Sequence, residues 1–404
     1  MSATIQSRAV PARTLIPVLG AASFCHMLND MMQALLPAVY PILRGDFNLS
    51  FAQIGMLTLV YQMTASILQP LIGFYTDKRP QPYLLPFAMM SSMIGLLTLA
   101  FVASYEGLLI GATMLGLGSS IFHPESSRIA RLSSGGAHGL AQSVFQVGGN
   151  FGSALGPLFA AYIVLPRGQH GLAWFALAAL TGMVIMAWLS RWYTSNGHAR
   201  RPAKRLATRH PSVSPAQVRL AMTILVLLLF SKYIYLASIT NFYTFYLIHR
   251  FGSTIQSAQV CQFVFFGAVA TGTVIGGPVG DRIGRKKVIW ASILGVLPFT
   301  VALPYASLDV TIALSVIIGI VISSAFPSIV VYAQELIPGR TGMVSGLFFG
   351  LIFGVGGIGA ASLGSLADRA GIDFVYQICS FLPAIGLLTV LLPNVESTAR
   401  KPTA

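Results

Sequence analysis

The sequence predicts an all-α integral membrane protein with twelve transmembrane helices in two six-helix repeats, with both termini on the cytoplasmic side. Three observations support this prediction. Of the 404 residues, 55% are hydrophobic and 9% are charged, whereas soluble domains average about a quarter charged residues. Long apolar runs follow one another along the whole chain, and several landmarks recur at nearly constant spacing. A soluble fold of this size would need much more polar surface to cover its core.

Twelve apolar runs are each long enough to cross the hydrocarbon core of a bilayer, which takes about 20 helical residues. They lie at residues 14–40, 51–75, 83–104, 107–130, 141–165, 171–190, 219–248, 256–279, 287–305, 310–335, 342–366 and 374–393. The first run is too long for the apolar region of a signal peptide and is not followed by a small-residue cleavage site. We therefore expect it to remain in the protein as a membrane helix.

The basic residues indicate the orientation of the chain. Most of the 25 Lys and Arg residues fall in loops on the same side as the N-terminus, and one, Lys232, lies inside a span. Cytoplasmic loops of membrane proteins carry an excess of Lys and Arg, so both termini are expected in the cytoplasm. The net charge of +14 is therefore a topology signal, and we expect no nucleic-acid partner.

A basic segment divides the chain into two halves. Residues 193–218 are rich in Arg, Ser and Pro and show no apolar periodicity, which is typical of a solvated linker. The predicted halves are residues 1–192 and 219–404, and landmarks repeat between them, because Asp77 and Asp281 lie 204 positions apart. Parallel repeats of six spans place a binding site between the halves, near the middle of the membrane.

Few ionisable side chains lie inside the spans, and each is a functional hypothesis because a charge in hydrocarbon is expensive. His26 and Asp30 are four residues apart in the first span and therefore share one helix face. Such a pair in a low dielectric can exchange protons near neutral pH, which predicts a role in proton coupling. The alternative is a structural pair that fastens the first span to a neighbouring helix.

The fourth span carries a second polar group, in which Pro124 separates His123 from Glu125 and Arg128 follows one turn later. A proline frees a backbone carbonyl and bends the helix, which is tolerated where a helix lines a cavity. We assign His123 and Glu125 to proton coupling and Arg128 to substrate contact. Alternatively, Glu125 and Arg128 neutralise each other at i,i+3 spacing, or Arg128 holds Asp77.

Lys232 is a cation about a third of the way into the seventh span, at the repeat position of His26. A buried ammonium needs an anionic partner, which is either the transported molecule or a protein carboxylate. Three amides in the fifth span follow one another at four-residue spacing and form a polar stripe. The predicted substrate-binding residues are Lys232, His26, His123, Gln142, Gln146, Asn150, Tyr235 and Arg128.

Residues 277–287 read G-P-V-G-D-R-I-G-R-K-K, and residues 73–78 repeat part of this pattern as G-F-Y-T-D-K. The longer copy resembles the cytoplasmic signature of the major facilitator superfamily, and G-S-A-L-G-P at 152–157 is similar to the fifth-span motif of its antiporters. The resemblance implies that the gating residues are Gly73, Asp77, Lys78, Gly277, Asp281, Arg282, Gly284, Arg285 and Arg340, and that the helix-packing residues are Gly152, Gly156 and Pro157. Asp77 and Asp281 would each lie on a helix N-terminus of the opposite half, where an anion is favoured.

The chain departs from the superfamily pattern at two positions. Pro80 replaces the second glycine of the first-half signature, and Ala112 stands where the fourth-span motif usually has Arg. Without that Arg, the resemblance leaves the proton carrier open between Asp30 and Glu125.

Longer strings resemble a bacterial drug-resistance family within the superfamily, among them S-F-C-H-M-L-N-D at 23–30 and V-Y-A-Q-E-L-I-P-G-R at 331–340. This resemblance implies export of a small anionic drug of the phosphonate type by alternating access, in exchange for protons, across a bacterial inner membrane. The alternative within transport is a physiological exporter of another organic anion or amphiphile, with drug efflux incidental.

A membrane sensor or enzyme is a remote alternative, because the spans contain no nucleophile–base pair, metal-binding cluster or phosphate loop. We therefore expect no enzymatic activity, no metal and no cofactor, with the proton gradient as the energy source. The expected partners are the lipid bilayer, the anionic substrate and protons, and the expected oligomeric state is a monomer.

Overall fold

The computed structural model describes residues 14–135, 138–196, 214–337 and 341–393. Within these ranges the regular elements are all helical. The first half contains α1 (Ile16–Ala38), α2 (Tyr40–Phe47), α3 (Phe51–Lys78), α4 (Leu84–Phe101), α5 (Tyr105–Ser133), α6 (His138–Phe159) and α7 (Ala176–Asn196). The second half contains α8 (Pro215–Phe251), α9 (Ile255–Ile283), α10 (Arg285–Ile293), α11 (Leu297–Ala302), α12 (Leu308–Ser323), α13 (Ala325–Leu336), α14 (Thr341–Ala370) and α15 (Ile372–Ser380). A π-helical turn continues α6, and short 3₁₀ segments precede α7 and follow α15.

Eleven helical segments in the described ranges are long and apolar enough to cross a membrane. They coincide with the second to the twelfth predicted spans. The first predicted span corresponds to α1, whose 23 residues extend over about 35 Å at about 1.5 Å per residue. Four polar side chains of α1, His26, Asn29, Asp30 and Gln33, lower its mean hydropathy. The length of α1 therefore supports a membrane span, whereas its composition does not. The two termini, which were predicted to be cytoplasmic, lie outside the described residues.

The helices on either side of the predicted linker extend into it. Helix α7 continues to Asn196, and α8 already begins at Pro215. A capping box fixes this start, because the Ser214 hydroxyl accepts from the backbone N–H of Gln217 at 3.3 Å while the Gln217 side chain accepts from the backbone N–H of Ser214 at 2.9 Å. The remaining residues of the predicted linker, 197–213, lie outside the described part of the chain.

Glycines allow α6 to pack closely against α1. A Cβ atom added to Gly152 would collide with the backbone carbonyl of Met27, and one added to Gly156 would lie 2.5 Å from Cβ of Ala34. Small residues at helix interfaces let backbones approach in a membrane, where apolar burial alone does not hold helices together. These contacts fix the position of the α1 polar face.

The two halves meet along α3 and α14. A Cβ atom on Gly55 would collide with the backbone of Ala360. Beyond this contact, the Asp368 carboxylate at the end of α14 accepts from the backbone N–H groups of Phe51 and Ala52 at 2.9 and 2.7 Å. An anion is favoured at a helix N-terminus, so Asp368 caps the start of α3 and joins the two halves at this end of the bundle. We call this contact the Asp368 latch.

Candidate substrate and proton site

A cavity of about 590 Å³ lies between the two halves, within the range of drug-sized binding sites. Helices α1, α3, α5 and α6 form one wall, and α8, α9, α13 and α14 form most of the other. This is the position that the two-repeat prediction gave for a binding site.

Asp30 lies between two imidazoles on the wall of this cavity. Its Oδ2 atom is 3.3 Å from Nε2 of His26, and its Oδ1 atom is 3.4 Å from Nε2 of His123. The Asn29 amide also donates to Oδ1 at 3.0 Å. His26 shares the α1 face of Asp30, whereas His123 comes from α5. We call these three side chains the His–Asp–His triad.

The second nitrogen of each imidazole contacts a backbone carbonyl. Nδ1 of His26 is 2.8 Å from the carbonyl oxygen of Phe145, and Nδ1 of His123 is 3.0 Å from that of Ser119. A carbonyl oxygen can only accept, so each Nδ1 carries a hydrogen and each neutral ring presents the lone pair of Nε2 to Asp30. If Asp30 is ionised and both rings are neutral, each Nε2 lone pair faces a carboxylate oxygen, and both contacts are repulsive. The contacts therefore require at least one additional proton on the three side chains. In this geometry the three side chains can share a proton.

The same three side chains also meet the distance requirement for a metal ion, because one ligand atom from each lies within 4.8 Å of the others. Asp30, however, presents a different carboxylate oxygen to each imidazole. This arrangement suits a hydrogen-bonded chain better than a single metal centre, so we interpret the triad as a proton site.

Packing holds the triad in place from α6. The Phe145 ring stacks on the His26 ring with centroids 4.0 Å apart. One turn later, a Cβ atom added to Gly149 would lie 2.5 Å from Nε2 of His26 and 2.7 Å from Oδ2 of Asp30. The missing side chain at Gly149 therefore provides the space that the triad occupies.

Lys232 lies on the opposite wall of the cavity and is only 2% exposed. Its Nζ lies 5.2 Å from the ring centroid of Tyr233 and 5.6 Å from that of Phe326. Among the residues that the structure describes, no carboxylate lies within ion-pair distance of Nζ. Two aromatic faces stabilise a cation only modestly, so this ammonium can take an anion from the cavity.

The three amides of α6 face the cavity together. Gln142, Gln146 and Asn150 all line it. The side-chain nitrogen of Asn150 is buried without a hydrogen-bond partner. A buried donor without a partner is costly, and here it lies on the wall of a cavity that can hold a ligand.

Three predicted site residues do not line the cavity. Glu125 is fully buried and forms an ion pair with Arg128 at 3.0 Å, and Arg128 also donates to the backbone carbonyl and hydroxyl of Thr76, each at 3.1 Å. This contact is the internal pair given above as the alternative for these residues. Successive helical residues point about 100° apart, which turns Glu125 away from the face of His123. On α8, Tyr235 is buried away from the cavity, and Tyr233 lines it instead.

The structure describes part of the predicted gate. Gly73 lies against Pro124, Arg282 is exposed, and Gly284 forms the turn between α9 and α10 at φ +101°, a conformation that favours glycine. Arg285 forms an ion pair with Glu335 of α13. Gly277 lies within α9, and the side chains of Asp77, Lys78 and Asp281 and the whole of Arg340 lie outside the described residues.

Three further residues, Gln33, Tyr61 and Asp368, were absent from the predicted site. Gln33 lines the cavity and accepts a hydrogen bond of 2.5 Å from the Tyr61 hydroxyl. Gln33 lies seven residues after His26 on the same helix face, which was the available signal. The third residue, Asp368, lies outside the apolar runs, and the sequence carried no signal for its latch.

Comparison with known proteins identifies the family. A model described as the Major Facilitator Superfamily matches residues 22–360 and, in a second match, residues 225–404. The chain belongs to this superfamily. The resemblance and the all-helical membrane fold expected from the sequence are thereby confirmed.

Two curated major facilitator relatives align over almost the whole chain. The Fosmidomycin resistance protein of Escherichia coli (strain K12) is 57% identical over 383 residues, covering 95% of this chain and 94% of that protein. The Uncharacterized MFS-type transporter YfnC of Bacillus subtilis (strain 168) is 42% identical over 386 residues, with the same coverage. These relatives are transporters and not enzymes.

Solved structures of major facilitator proteins share the fold. A bacterial homologue of the human lysosomal transporter Spinster, in an inward-facing and occupied conformation, aligns with a TM-score of 0.71 at 15% identity, covering 95% of both chains. The nucleoside transporter NupG aligns with a TM-score of 0.70 at 15% identity, covering 93% of this chain and 98% of that chain. With the family match and the curated relatives, the protein is a multi-pass membrane transporter.

Proposed function

We propose that this transporter exports a small anionic drug such as fosmidomycin across the bacterial inner membrane, by alternating access and in exchange for protons. The observation that carries the proposal is Lys232, a buried ammonium on the cavity wall without a carboxylate partner among the described residues. An anionic substrate would supply the missing partner. The name of the relative that is 57% identical supports fosmidomycin as a substrate.

The His–Asp–His triad supports proton coupling. In the conformation described, an ionised Asp30 requires at least one proton among the three groups, because each Nδ1 donates to a backbone carbonyl. Loss of that proton makes the Asp30–His123 contact repulsive and favours a state in which the two side chains separate. The His123 ring lies 6.1 Å from the ring of Phe353 on α14, so a movement of His123 acts on the opposite half.

Alternating access also requires a closure at each end of the cavity. The Asp368 latch closes the end at which α3 begins. For the other end we propose that Asp77 and Asp281 act in the same way on helix N-termini, as the superfamily resemblance implies. Protonation of the triad on one side and deprotonation on the other would select between the two closures. No cofactor is needed, because the proton gradient supplies the energy, and one chain contains the complete cavity.

An alternative function is export of another organic anion or amphiphile, with drug efflux incidental. The apolar side chains on the cavity wall, among them Phe326 and Phe353, favour this alternative as the physiological role. Both functions use the same Lys232 and the same triad.

The proposal is tested by transport into proteoliposomes. Purified protein is reconstituted, and accumulation of radiolabelled fosmidomycin is measured with an acidic lumen, with equal pH on both sides, and with the gradient collapsed by a protonophore. Accumulation above equilibrium only with the acidic lumen is the expected result. Equal uptake under all three conditions would contradict proton-coupled antiport, and no uptake above protein-free liposomes would contradict transport of this drug.

A further inference from the structure

The two walls of the cavity differ in chemistry. The first-half wall carries six amide side chains in addition to the triad, among them Gln33, Gln146 and Asn150. The second-half wall carries most of its apolar surface on six side chains, Leu236, Phe266, Val269, Phe326, Ile352 and Phe353, which lie among the polar residues Lys232, Tyr233, Thr240, Asn241, Thr273 and Ser323. All six of these apolar side chains are partly exposed. A ligand that fills the cavity therefore meets the triad and six amides on one side, and on the other side an apolar surface next to the Lys232 ammonium.

The charge and the apolar surface of the second-half wall are adjacent. The Lys232 ammonium lies 5.6 Å from the ring centroid of Phe326. An anionic head bound at Lys232 therefore has its next atoms against an aromatic face. Further along this wall, Phe353 lies opposite His123, so the apolar surface extends from the cation towards the triad.

Size gives a second constraint on the ligand. A cavity of about 590 Å³ matches drug-sized ligands, whereas a compact hydrophilic anion held at Lys232 would leave the apolar wall in contact with water. Covering that wall with hydrocarbon is favourable by about 0.8 kcal/mol per buried methylene. A substrate with an apolar chain or ring as well as a charge should therefore bind in the cavity more tightly than a compact anion.

We infer that the preferred substrate of this transporter is an amphiphilic organic anion, with one anionic head at Lys232 and an apolar chain or ring against the wall formed by α9, α13 and α14. This inference rests on the proposed function, since it uses the same cavity and the same cation. It adds that affinity is set by the apolar part and not by the anionic head alone. Polar groups between head and chain would contact the amides of α6.

The test is a series of n-alkylphosphonates, from methyl to octyl, that compete with labelled fosmidomycin for binding to the purified transporter. The expected result for the wild type is a fall in the inhibition constant of about fourfold per added methylene until the wall is covered, followed by a plateau. Phe326→Ala and Phe353→Ala should each flatten this dependence of the inhibition constant on chain length. Phe230→Ala, which removes an exposed ring on α8, is the matched control and should keep the wild-type slope.

The variants separate the cavity from unspecific partitioning of long chains. Partitioning into detergent or lipid is the same for all proteins, so only a difference in slope between Phe230→Ala and the two cavity variants supports the inference. A flat wild-type series, or equal slopes in all four proteins, overturns it even if a cavity variant folds poorly. The proposed function fails differently, because wild-type protein would then not transport fosmidomycin in the gradient assay.

Discussion

Replacing Lys232 by Met distinguishes the two roles that a buried lysine can have. If the lysine belonged to a structural ion pair, the variant would leave a buried carboxylate without its partner, which destabilises a protein by about 3–5 kcal/mol. No carboxylate of the described residues lies within ion-pair distance of Lys232. Removing its charge therefore leaves no described anion unpaired.

The expected magnitudes follow from the surroundings of Nζ. Burying an ammonium costs several kcal/mol, whereas the two rings at 5.2 and 5.6 Å contribute about 0.5–2 kcal/mol each. Met has a similar shape and no charge, so the Tm of Lys232→Met should equal or exceed that of the wild type. A hydrogen bond to a charged group contributes about 1.5–3 kcal/mol, so the Kd for fosmidomycin should rise by roughly 10- to 150-fold.

The assay measures Tm by scanning fluorimetry and Kd by equilibrium binding on the same preparation. Lys286→Met is the matched control, because Lys286 donates to the backbone carbonyls of Val390 and Leu392 at 3.2 and 2.5 Å, away from the cavity. It should lower Tm and leave Kd unchanged. A lower Tm with an unchanged Kd for Lys232→Met would show that Lys232 has a structural role and does not bind the substrate.

Two further predictions concern the packing of the triad and the Asp368 latch. Gly149→Ala places a methyl group 2.5 Å from Nε2 of His26, so we expect it to lose about 1–3 kcal/mol in stability and to lose gradient-driven transport. The control Gly20→Ala, whose added methyl group has nothing within 4 Å, should retain both stability and transport. Equal behaviour of the two variants would contradict the role of Gly149 in packing the triad. Asp368→Asn removes the exposed charge that caps α3 at a cost of about 0.3–1 kcal/mol, which should raise labelling of a cysteine at Ser153 by an impermeant thiol reagent from the latch side roughly 2- to 5-fold. Asp309→Asn, at the exposed start of α12, should not change this labelling, and unchanged labelling in Asp368→Asn would leave Asp368 as a simple helix cap.

The sequence predicted the features that depend on local composition. Eleven spans follow directly from apolar runs, and the scarcity of charges in those runs pointed to Asp30 and Lys232, both of which line the cavity. The face shared by His26 and Asp30 follows from i,i+4 spacing alone. These predictions needed no knowledge of how the helices pack.

The contacts that give the site its chemistry depend on packing between distant segments. The approach of His123 to Asp30 joins α5 to α1, and no spacing rule gives it. On α5, Glu125 points towards Arg128 and does not line the cavity. The geometry therefore gives no support to the assignment of Glu125 to proton coupling. Asp368 could not be identified, because its role depends on α14 reaching the start of α3.

If protons held at the His–Asp–His triad drive export, Asp30→Asn should uncouple transport from the proton gradient. Gradient-driven accumulation of fosmidomycin and exchange of labelled for unlabelled fosmidomycin at equal pH are measured in the same proteoliposomes. Asn keeps the shape of a protonated Asp but cannot release a proton, so accumulation should be lost while exchange continues. Glu125→Gln, which alters a carboxylate outside the cavity, should retain accumulation. Accumulation that persists in Asp30→Asn and disappears in Glu125→Gln would contradict the account and move the proton carrier to α5.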